Sequence, residues 1–82
     1  MKPPNGSYSL TTDPQPGLPS TTVRYTIDDD GIATTFGLLL WIELPPPGMF
    51  KKGDIGLRFT DATHFVAVNG TDSYSGTYAP SP

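Results

Sequence analysis

Large apolar residues recur at every second position over short stretches of this chain, and proline or glycine breaks each stretch. Such a period is that of strands, whose successive side chains point to opposite faces. Val23, Tyr25 and Ile27 alternate with Thr22, Arg24 and Thr26, which predicts a half-buried strand over residues 21–27. Asp28-Asp29-Asp30-Gly31 follows as an acidic hairpin turn, with Gly31 free to take a positive φ. Residues 32–35 lead into the longest apolar run, 36–44, which Pro45-Pro46-Pro47 stops.

As a strand, that run places Phe36, Leu38, Leu40, Ile42 and Leu44 on one face. Gly37, Leu39, Trp41 and Glu43 share the other. A strand apolar on both faces is normally covered on both sides. Leu40 and Ile42 are therefore expected in the core, and Leu39 and Trp41 against a second layer or another chain.

Residues 45–54 read as a long connection in which Met49 and Phe50, just past the prolines, are candidates for exposure. Ile55, Leu57 and Phe59 alternate in the next strand, and a further strand covers residues 64–68. Asn69-Gly70 between two strand-like runs is a hairpin signal, because a type I′ turn takes positive φ at both positions. A turn centred on those residues sets Phe65 opposite Tyr74 and His64 opposite Ser75.

Proline sets the boundaries, since it cannot donate to a ladder. Five prolines fall in residues 1–19, none in 20–44, three at 45–47, none in 48–79 and two in the last three. The expected organisation is an extended proline-rich arm over 1–19, with a brief sheet-edge pairing around Ser7 to Thr11 as the alternative, a β-domain over 20–79 and a tail at 80–82. The expected fold is all-β, a small antiparallel β-sandwich or open barrel of about five strands with that arm.

Composition narrows the function classes. The 82 residues make one small domain, which buries a low fraction of its surface and often relies on partners. Cysteine is absent, which removes disulfides and thiolate metal sites, and one His removes a multi-histidine centre. The net charge of −3 and five scattered Lys and Arg argue against phosphate-driven nucleic-acid binding. No apolar stretch follows Met1-Lys2-Pro3-Pro4 as in a secretory leader, and the central run is too short for a membrane helix.

Three patterns invite chemistry. The Asp28–Asp30 cluster lacks the alternation and the later Glu of an EF-hand loop, so it reads as a solvated turn. His64 with Asp61 or Asp72 and Ser73 or Ser75 has the residue types of a nucleophilic triad, but no nucleophile elbow accompanies it. Trp41, Tyr74 and Tyr78 are candidates for an aromatic platform under a sugar ring. No catalytic, metal or cofactor site is expected, and the chain is not expected to be an enzyme.

The expected role is that of a structural interaction protein. Its concrete form is a small decoration or cement protein of a virus capsid, most concretely a bacteriophage capsid, located in the virion, with the cytoplasm as the alternative. It would bind capsid or other assembly subunits through Tyr8, Leu10, Leu18, Leu39, Trp41, Met49 and Phe50, and form homo-oligomers. No nucleic acid or membrane partner is expected. The alternative is a carbohydrate-binding or host-adhesion module with an aromatic face.

Overall fold

In the computed structural model, which describes residues 2–81, eight antiparallel strands follow one another along the chain: β1 Gly6–Thr12, β2 Thr22–Asp28, β3 Gly31–Thr34, β4 Gly37–Ile42, β5 Met49–Lys52, β6 Ile55–Phe59, β7 His64–Asn69 and β8 Asp72–Pro80. Each strand pairs with the next, and β8 returns to β1, so the sheet closes into a barrel. The chain is all-β, with eight strands rather than about five. Met1 of the expected arm and Pro82 of the expected tail lie outside the described residues.

The largest correction concerns the arm. Residues 6–12 form β1, paired with β2 on one side and β8 on the other. The prolines flank this strand instead of interrupting it: Pro3 and Pro4 precede it, and Pro14, Pro16 and Pro19 follow. Within that window Tyr8 and Leu10 point into the barrel. On the outside, Ser7 meets Thr26 at 3.1 Å and Thr11 meets Thr22 at 2.9 Å through their hydroxyls. The C-terminal tail is likewise taken into pairing as far as Pro80, opposite Tyr8.

The central run is also divided. Thr35 and Phe36 form a turn between β3 and β4, where Thr34 pairs with Gly37 and the Thr34 hydroxyl accepts the Phe36 N–H at 3.0 Å. Residues 49–52 of the expected connection form β5, which makes a hairpin with β6 across Gly53 and Asp54. Only 43–48 remains a loop at this point, tightened by a Gly48 N–H bond to the Pro45 carbonyl at 2.9 Å.

The acidic hairpin between β2 and β3 is present. Asp28 pairs with Gly31, and one Asp28 carboxylate oxygen accepts the Asp30 and Gly31 N–H groups at 2.8 and 3.1 Å. The last hairpin is present with a register two residues from that expected. Its turn is Gly70-Thr71, Asn69 pairs with Asp72, and Phe65 lies opposite Gly76. Gly70 alone takes positive φ, at 64°, so the turn has glycine at its first central position and leaves Asn69 in the strand. A shift of two preserves the faces, so Phe65 and Tyr74 still both point inward.

Inside, the two ends of the barrel differ. One end is filled by rings in edge-on contact, Trp41 to Phe50 at 5.1 Å, Phe50 to Phe59 at 6.1 Å, Phe59 to Tyr78 at 4.6 Å and Tyr78 to Tyr8 at 5.9 Å. Such tilted contacts suit the ring quadrupole. The two tyrosine hydroxyls find backbone acceptors at this end, Tyr8 on Pro4 at 2.6 Å and Tyr78 on Asp61 at 2.8 Å. Leu10, Ile27, Ile32, Leu39, Leu57 and Phe65 complete the core.

Candidate functional site

Strand β4 has an inward and an outward face, and the sequence assignment of these is reversed. Leu39 is buried at 2 % exposure, and Trp41 is half-buried against Phe50. Leu38, Leu40 and Ile42 point outward at 42, 54 and 40 % exposure, flanked by Phe36 at 58 % and Leu44 at 71 %. Leu38, Leu40 and Ile42 thus form an apolar ridge along the outer wall, with Phe36 in the turn before β4, at the mouth of the open end, and Leu44 in the loop after it. The reversal follows from the aromatic packing of the closed end: the interior takes the Trp41 ring, and Leu39, of the same parity, goes inward with it.

The neighbouring strands widen the ridge. Leu38 pairs with Ala33, Leu40 with Lys51 and Ile42 with Met49. Arg58 donates from Nη2 to the Met49 sulfur at 3.7 Å, and its buried Nε has no hydrogen-bond partner in the protein. Val66 pairs with Arg58 and Val68 with Gly56, which continues the apolar surface onto β7. The surface is therefore apolar, with Lys51 and Arg58 set into it. A closed barrel has no free strand edge to offer another chain.

The expected contact residues scatter. Tyr8, Leu10, Leu39 and Phe50 are buried inside the barrel, which removes them from any outer contact surface. Trp41 is directed inward beside them. Met49 lies on the ridge beside Ile42, and Leu18, half-exposed, lies on the 13–21 strap at the opposite, open end. Phe36, Leu38, Leu40, Ile42 and Leu44 were visible in the sequence as one apolar face; what misled was the sense of that face.

The aromatic platform is not assembled. Tyr78 is buried in the closed end, Trp41 packs on Phe50, and Tyr74 belongs to the lining of the open end.

The β6–β7 loop brings Asp61 and His64 together. The Asp61 carboxylate accepts N–H bonds from Thr63 at 2.8 Å and His64 at 2.9 Å, and lies 3.0 Å from His64 Nδ1. Chiefly the Thr63 N–H, then the His64 ring, lower its pKa from 3.8 to about 2. The Ser75 hydroxyl donates to Asp13 at 3.1 Å. A His–Asp pair is thus present, with the serine hydroxyl engaged elsewhere. Among the described residues, no three His, Asp or Glu side chains gather as a metal site.

No protein-family model, curated protein or solved structure matches this chain.

Proposed function

We propose that this protein is a non-enzymatic structural interaction protein, a small barrel that fixes itself to the surface of a larger protein assembly through the outer face of β4 and β5. The observation that carries the reading is the outward ridge of Leu38, Leu40 and Ile42 on β4, with Phe36 and Leu44 exposed beyond its two ends. Contiguous exposed apolar surface on a small domain marks a protein contact. Lys51, exposed, and the half-buried guanidinium of Arg58 within it favour a partner surface that is apolar and carries carboxylates. The finer form of the proposal is decoration of a virus capsid, where such a barrel stabilises the assembled shell by binding only that state.

The chain has no cysteine, so Leu40→Cys gives a unique attachment point for a thiol-reactive crosslinker in the producing cell. Thr77→Cys provides the control, because Thr77 is exposed on β8, on the opposite side of the barrel from β4. The expected result is one crosslinked partner subunit from position 40, in a rapidly sedimenting assembly, with none from position 77. Equal crosslinking at both positions, or none at either, would overturn the reading. Crosslinking of position 40 to a second copy would replace the assembly partner with a homo-oligomer.

A further inference from the structure

The other end of the barrel is unfilled. The 13–21 strap and the turns at 35–36, 53–54 and 70–71 surround its opening, and a cavity of about 370 Å³ leads inward from them. Eight strands enclose a space that side chains fill or that holds one small ligand. Here rings fill the closed half, while Val23, Thr34, Ile55 and Ala67 leave the open half partly empty. Ligand pockets in proteins run from roughly 300 to 1,000 Å³.

We infer that the open half of the barrel is a receptor site for one small, uncharged, largely apolar molecule, separate from the outer ridge. Its wall is mostly aliphatic and aromatic, with Leu39, Leu57 and Phe65 at nearly complete burial. Tyr25 and Tyr74 add hydroxyls that suit a hydroxyl or carbonyl on the ligand, while those of Thr12 and Thr34 are taken by the backbone. Charge decides against an acid. Asp13 is the one charged residue of the lining among those described, and it bonds the Ser75 hydroxyl. A carboxylate or phosphate head would face that anion with no cation in the wall. At the density of organic crystals, the volume suits on the order of fifteen non-hydrogen atoms.

A macromolecular occupant is disfavoured by the rim. Three of its four edges are two-residue hairpin turns, which leave room for a side chain or a small molecule rather than for a strand or helix. Leu18, on the strap and half-exposed, is placed to cover an occupant.

The test is a fluorescence titration of the whole chain with N-phenyl-1-naphthylamine, an uncharged dye of suitable size. A saturable rise at one dye per chain is expected, with dodecanol displacing the dye and dodecanoate failing to do so. Ala67→Trp and Val23→Trp each put a ring into the cavity from a different strand. Each should weaken the dye by about tenfold or more, a loss of about 1.4 kcal/mol. Val23 stands at the exposed rim, so that variant keeps the test readable even where Ala67→Trp disturbs folding. Leu40→Lys on the ridge should leave dye affinity unchanged. No saturable rise, or a loss with Leu40→Lys and none with either Trp variant, would overturn the site. Displacement by dodecanoate as readily as by dodecanol would overturn the ligand class. The ridge can fail its crosslinking test while this site stands, and the reverse.

Discussion

Phe65 lies across Gly76, its ring edge 2.9 Å from where a Cβ on that glycine would sit. The two residues are direct cross-strand partners on β7 and β8, and on its other side Gly76 pairs with Thr12 of β1. The Thr11 carbonyl approaches the same point still more closely. Gly76 therefore lets the last strand come close enough to the first to shut the barrel, while the aromatic ring covers the gap that a missing side chain leaves.

Gly76→Ala should destabilise the fold by about 1–3 kcal/mol, because backbone on one side and a packed ring on the other must both give way. Urea denaturation measures it. Adding Phe65→Leu should restore only part of the loss, since the Thr11 carbonyl remains in place. Full restoration would locate the whole strain in the ring and leave the β1–β8 seam uninvolved.

Leu39 and Leu40, adjacent in sequence, should behave in opposite ways. Leu39→Ala removes a buried side chain and should cost about 2–5 kcal/mol. Leu40→Ala removes an exposed one and should stay within about 0.5 kcal/mol. Paired thermal melts decide this, and a reversed order would mean that β4 faces the other way.

Deleting residues 2–12 should abolish cooperative folding instead of trimming an appendage. The deletion removes Tyr8 and Leu10 from the core and frees the edges of β2 and β8. Exposed edges of this kind recruit other chains, so aggregation in size-exclusion is expected. A soluble, cooperatively melting truncation would show that seven strands suffice.

Periodicity was enough for the all-β class, the acidic hairpin and the inward parity of Val23, Tyr25 and Ile27, since each depends on local alternation or on glycine. The strand count was not legible, for two reasons. Proline density over residues 1–19 is an average, and it outweighed the proline-free window of strand length around Tyr8 and Leu10, which read only as a brief edge pairing. The run 32–44 has no glycine or proline at its actual turn, Thr35-Phe36, and Gly37 just after it gives only a weak signal. The ridge was half legible. Alternation grouped Phe36 with Leu38, Leu40, Ile42 and Leu44, but both faces of the strand are apolar, and only the stacking of Trp41 on Phe50 across β4 and β5 decides which one turns inward. The open cavity left no mark at all, because an empty volume depends on how eight strands close.

The pH response of the β6–β7 loop follows from Asp61. The Thr63 N–H, then the His64 ring and N–H, stabilise its charged form, so its pKa falls from 3.8 in the unfolded chain to about 2 in the fold. A lowered pKa means that the unfolded state binds the proton first as pH drops. The contribution is therefore complete above about pH 4, shrinks as pH falls toward 2, and is gone below that. Both side chains are exposed, so the effect on stability is small and is best read as a difference. Asp61→Asn keeps an oxygen that can accept the Thr63 and His64 N–H groups but removes the charge. The wild type should melt above this variant at neutral pH, and the gap should close between pH 4 and 2. His64→Gln should retain part of that window, because the N–H groups of residues 63 and 64 remain while the imidazole is lost. Curves that run parallel from pH 6 to pH 2 would show that the Asp61 turn is not held in solution. A window lost entirely with His64→Gln would give the His–Asp pair, and not the turn, the main hold on this carboxylate.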